Sequence, residues 1–153
     1  GVSGLLAQFV ALVAALTSAA LLGGCLMTML LGHAYLTAGG EMTQQPFMRL
    51  VYMLVIALVL RASLAMLAGF LPWYRDASAY GFGDPQLSWQ AVMVCARLTV
   101  GIVVPGVLLY MVRDCVRRRA NQSATGILYV LAVTLIVGEG VAMMLVRSTG
   151  WAF

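Results

Sequence analysis

Val2 to Leu36 reads VSGLLAQFVALVAALTSAALLGGCLMTMLLGHAYL, a stretch with no Asp, Glu, Arg or Lys and with the chain's single histidine, His33, near its end. As one helix at 1.5 Å per residue it would be roughly 50 Å long. A bilayer's hydrocarbon core is only about 30 Å thick. Such a helix must tilt, project beyond the membrane, or break near Gly23-Gly24, where paired glycines weaken a helix.

Working outward, the rest of the chain repeats the same character. The 153 residues are 63% hydrophobic and 9% charged, against roughly 25% charged in an ordinary soluble domain. A water-facing surface cannot be built from so few charges. A second span opens at Pro46, a favoured helix start, and runs over 46–71 with Pro72 following. A polar connection, 73–86, leads to a third span over 87–112, which Pro105 is expected to kink. The last span covers 121–147. The expected fold is an all-α integral membrane bundle of four transmembrane helices with short loops, forming a single domain over 1–153.

The net charge of +4 comes from nine arginines and no lysine, and four of them crowd one turn: Arg113, Arg117, Arg118 and Arg119. Arginine concentrates in cytoplasmic loops, so this turn is read as cytoplasmic. The 38–45 connection then shares that side, and both termini and the 73–86 connection lie opposite. Trp73, Trp89 and Trp151 fall at the outer interface in this arrangement, where indole rings favour the headgroups. The basic balance thus marks topology, and no nucleic-acid partner is expected. A bacterial inner membrane is the expected location.

Three ionisable residues interrupt the apolar helices: Arg61, Arg97 and Glu139. An unpaired charge at that depth costs at least ~2.5 to 3.5 kcal/mol, so each needs a partner or water. Arg61 lies 15 residues beyond Pro46, Arg97 lies 16 before Arg113 and Glu139 lies 18 beyond Asn121. Those separations correspond to roughly 22, 24 and 27 Å from the cytoplasmic side. One layer in the outer half of the membrane is therefore expected to hold all three. Arg61 shares a stripe with Ala57, Ala65 and Gly69, which suits a helix contact better than lipid. Either the cluster fixes helix register, or its surplus positive charge contacts an anionic or carbonyl-bearing ligand such as a quinone headgroup or a phospholipid.

His33 and Tyr35 form a second candidate site, for interfacial hydrogen bonding, quinone contact or proton transfer. A bis-histidine haem held by this chain alone is excluded, because there is one histidine. Ala7, Ala11, Ala15, Ala19 and Gly23 recur every four residues, with Ala14 and Ser18 alongside, a pattern that permits close helix approach. Packing within the bundle and docking on another subunit are both compatible with it. Cys25, Cys95 and Cys115 show no CxxC spacing and read as packing residues. Leu22-Gly23-Gly24-Cys25 resembles a lipoprotein processing site, but no basic residue precedes it and apolar sequence continues beyond. No metal site is expected, and the ten methionines are read as packing.

Leu31-Gly32-His33-Ala34-Tyr35-Leu36 and Gly138-Glu139-Gly140 look like elements of bacterial membrane proteins. The Gly-Glu pair in a late helix also resembles the quinol-oxidising membrane anchors of molybdopterin oxidoreductases. That likeness covers a few residues of one helix, and such anchors have about twice as many spans, so no site is carried over. The functional expectation is a non-catalytic accessory subunit of a larger respiratory or photosynthetic electron-transfer complex. Membrane lipids and other membrane subunits would be its partners, with no intrinsic cofactor and with quinone or phospholipid bound at a subunit interface. The alternative is a small oligomeric transporter or channel that uses the Arg/Glu cluster.

Overall fold

A computed structural model describes the backbone over residues 2–37, 43–76 and 85–149, and the side chains at 5, 8–37, 43–67, 92–144 and 147. Its elements are α1 (Val2–Thr37), α2 (Gln45–Asp76), α3 (Pro85–Leu98), a π-helical turn (Thr99–Val103), α4 (Val104–Arg117) and α5 (Asn121–Thr149). Four rods result, because α3, the π turn and α4 follow one another as a single interrupted span. Around the bundle α1 packs on α2 and α5, while α4 packs on the same two helices. Consecutive rods are thus neighbours, as short connections require.

Each rod buries a stripe whose spacing alternates between three and four residues. On α1 the buried positions include Ala14, Leu21, Cys25, Thr28 and Tyr35; on α2 they are Phe47, Val51, Leu54, Leu58, Arg61 and Ala65; on α5 they include Ala124, Leu128, Leu131, Leu135 and Ala142. A repeat averaging 3.5 residues keeps one seam facing its neighbours over many turns, the geometry of gently crossing helices. The opposite faces carry Leu12, Met53, Ile56, Val133 and Ile136 at more than half exposure. A bundle apolar both inside and out has hydrocarbon as its solvent. With four helices long and apolar enough to cross a bilayer, the chain is an integral membrane protein.

Several boundaries differ from the sequence reading. α1 does not break at Gly23-Gly24 but runs continuously to Thr37. α2 passes Pro72 and ends at Asp76. Proline removes one backbone hydrogen bond and can kink a helix without ending it. α4 continues through Arg113 to Arg117, because arginine is a good helix former whatever its charge does to membrane depth. Pro105 has its effect one turn earlier, where the Val104 N–H reaches back five residues to the Thr99 carbonyl and inserts the π turn. The connections 38–42 and 77–84 lie outside the described residues. So do the side chains of Ala7, Gly69, Arg75, Trp73, Trp89 and Trp151, and with them the interfacial-tryptophan expectation.

The α4–α5 turn closes α4 tightly. The Ala120 N–H bonds the Cys115 carbonyl at 2.9 Å and the Arg119 N–H bonds the Val116 carbonyl at 3.1 Å. That pair of bonds is a Schellman motif, which needs a left-handed residue just past the helix end. Arg119 occupies that position with φ of 59°.

Candidate buried charge cluster

Three helices bring Arg61, Arg97 and Glu139 into one layer, and a fourth adds Ser18. Glu139 Oε2 accepts from Arg61 Nη2 at 2.9 Å, and the single Ser18 hydroxyl proton is shared between Glu139 Oε2 at 3.0 Å and the Ala14 carbonyl at 2.9 Å. Arg61 Nη1 also donates to the Ala14 carbonyl on α1. Arg97 approaches from the other side, with Nη2 3.8 Å from Glu139 Oε1 and Nη1 donating to the Gly138 carbonyl at 3.3 Å. Both arginines are 3% exposed. One carboxylate thus faces two guanidiniums, and the layer carries one formal surplus positive charge.

Local sequence makes room for this arrangement. Arg97 folds back along its own helix over Gly101, where any β-carbon would collide with the guanidinium. Gly138 lies directly against the π turn: a β-carbon there would sit 2.9 Å from Gly101 Cα and 3.4 Å from its nitrogen. Backbone therefore meets backbone at the Gly101–Gly138 crossing, a contact open only to glycine. The π turn begins two residues after Arg97, so the helix irregularity and the buried cation belong to one local feature.

The sequence reading anticipated the three charged residues but not Ser18, Ala14, Gly101 and Gly138. Ser18 and Ala14 lie alongside the small stripe of α1, yet they face inward to the cluster while Ala11, Ala15, Ala19 and Gly23 face outward. The small face is therefore not used within the bundle; a β-carbon at Gly23 would meet nothing within 4 Å. Serine and glycine carry no signal of their own in an apolar helix. Their spacing of four from Ala14 to Ser18 and from Arg97 to Gly101 becomes meaningful once a charged neighbour is placed.

His33 and Tyr35 do not form a site together. Two residues apart on a helix, they point to nearly opposite sides, and His33 is exposed while Tyr35 is buried. The Tyr35 hydroxyl donates to the Thr43 carbonyl and its ring stacks on Phe47 at 5.6 Å, tying α1 to the start of α2. In the basic turn Arg118 pairs with Asp114 at 2.8 Å, and Arg113 lies over the Tyr52 ring at 5.8 Å. Arg117, Arg118 and Arg119 are exposed. Cys25 is buried as expected, whereas Cys95 is exposed on the outer face of α3 and packs no core. Among the described residues no group of His, Cys, Asp or Glu is arranged to hold a metal ion.

Between the cluster and the basic turn the interior is closed by apolar layers. Leu54, Leu58, Leu109, Val112, Leu128, Leu131 and Leu135 belong to one core cluster and are all less than a tenth exposed. A shallow apolar groove runs outside them between α2 and α4, past Leu58, Ala62, Ile102, Gly106 and Tyr110. Its upper end is level with the cluster, since Ala62 follows Arg61 and Ile102 follows Gly101. No family model, curated protein or solved structure matches this chain.

Proposed function

We propose that the chain is a non-catalytic accessory subunit of a larger membrane complex of the respiratory or photosynthetic electron-transfer class. The observation that carries this reading is the sealed position of the charge cluster. Stacked leucine and valine layers separate it from the basic-turn end, so among the described residues the charges join helices and line no continuous polar path toward that turn. The outward small-residue stripe of α1, from Ala11 to Gly23, supports docking on another transmembrane helix, since small side chains let backbones approach closely. By the arginine rule the basic turn is cytoplasmic and the residues at both ends of the chain lie on the other side, in a bacterial inner membrane.

Ala15→Phe tests the docking face, because it adds bulk where the bundle itself makes no contact. The variant is expected to fold with unchanged stability in detergent but to co-isolate with fewer membrane proteins than the wild type. Equal co-isolation would refute the role of this face. Transport is the second reading, supported by the unmatched positive charge of the cluster. It requires anion or proton flux in liposomes that Glu139→Gln abolishes, and the accessory reading expects no flux from either protein.

A further inference from the structure

We infer that Arg97 is the binding residue of an oxyanion site, in which one carboxylate- or phosphate-type group is held bidentately by the Nε/Nη2 edge of its guanidinium. The inference does not depend on the accessory role. A guanidinium presents its N–H groups in a fixed planar fork, and Nε and Nη2 form one side of it. Here the opposite nitrogen, Nη1, is engaged by the Gly138 carbonyl. Nε and Nη2 are both buried and find no hydrogen-bond acceptor among the described residues. Among the described residues the nearest carboxylate oxygen is Glu139 Oε1, which stands 3.8 Å from Nη2, beyond hydrogen-bond reach.

Glu139 does not need Arg97. Arg61 holds that carboxylate at 2.9 Å and Ser18 adds a second donor at 3.0 Å. A neutral pair would thus remain without Arg97, which brings a surplus charge and, among the described residues, an unpaired fork edge into the low-dielectric bundle interior, where both are unfavourable. A neutral carbonyl, as on a quinone, would accept hydrogen bonds but leave the charge uncompensated. An oxyanion answers both. The π turn follows immediately, and Gly101 and Gly138 bring backbone against the guanidinium where any other residue would place a β-carbon. The oxyanion can come from a free anion or from an anionic lipid, whose acyl chain would lie in the α2–α4 groove that starts at Ala62 and Ile102.

The test uses the full chain purified in neutral detergent and incubated with inorganic phosphate, with dioleoylphosphatidylglycerol or with dioleoylphosphatidylcholine, at ionic strength matched with sodium chloride. Thermal midpoints and native mass spectra are the readouts. Phosphate or phosphatidylglycerol is expected to bind about tenfold more tightly than in Arg97→Met, with phosphatidylcholine ineffective. The double variant Arg117→Gln and Arg118→Gln is expected to bind like the wild type, which separates this site from the basic turn. Phosphatidylglycerol binding lost in Ala62→Phe identifies the lipid source; a phosphate shift that survives in Ala62→Phe identifies the free anion. Binding unchanged in Arg97→Met, binding lost only with the basic turn, or no response to either anion would each overturn the inference. Should Arg97→Met fail to fold, Arg97→Lys keeps the charge without the planar fork, and undiminished binding in that variant overturns it equally.

Discussion

Glu139 is the residue on which the buried layer depends. Replacing it with Gln leaves two guanidiniums facing each other with no anion, and breaking a buried pair by removing one partner costs about 3–5 kcal/mol. Arg97→Met removes the surplus charge and keeps the Arg61–Glu139 pair at 2.9 Å, so it is expected to cost much less stability than Glu139→Gln. Chemical unfolding of the two variants in the same detergent separates them; equal losses would show that Arg97 is as necessary to the pair as Arg61. Gly138→Ala tests the backbone crossing. Its β-carbon would stand 2.9 Å from Gly101 Cα, and the required displacement of α5 is expected to cost about 1–3 kcal/mol by the same assay. The charged members of this layer were legible in the sequence because charge in an apolar helix is rare. Ser18 and Gly138 were not, since what makes them part of the site is the neighbour each one faces.

At the scale of the element, hydropathy and helix boundaries are separate properties. The four apolar runs announced four spans, and four helical rods are present. The ends announced by Pro72 and Arg113 were the ends of apolar sequence, while the helices themselves extend to Asp76 and Arg117. The direction of the α1 small stripe was also hidden in the sequence. A four-residue period defines a face but not what covers it, and the bundle uses the neighbouring Ala14, Leu21, Cys25 and Thr28 instead. The end of α4 gives a direct check on local strain. Arg119 adopts φ of 59° with an exposed side chain, a conformation that is unfavourable by roughly 1–2 kcal/mol for a residue with a β-carbon. Arg119→Gly is expected to stabilise the protein by about 1 kcal/mol in denaturant titration, and a loss of stability would contradict the Schellman geometry of this turn.

For the whole molecule, the inside-out comparison with soluble bundles explains how so little polar chemistry can organise the fold. Hydrocarbon gives no preference for burying one leucine face over another, so specificity comes from packing geometry and from the few polar contacts that must be satisfied. The charge layer supplies those contacts at one level, and the Tyr35–Thr43 bond and Tyr35–Phe47 stack supply them near the other end. Between them, among the described residues, apolar layers fill the interior. Apart from the Arg97 edge, a molecule built this way offers its interaction capacity on its outer faces, the small-residue face of α1 among them.

Whether that capacity is used is the central claim, and it is tested by extracting the wild-type chain from its native membranes in a mild detergent. The extract is separated by native electrophoresis, and the band that contains this 16.3 kDa chain is read by mass spectrometry and by its absorption spectrum. The account expects a band much larger than the chain itself, holding other membrane subunits together with the absorption of haem, iron–sulfur or pigment groups. A colourless band containing this chain alone, as a monomer or a small homo-oligomer, would contradict it.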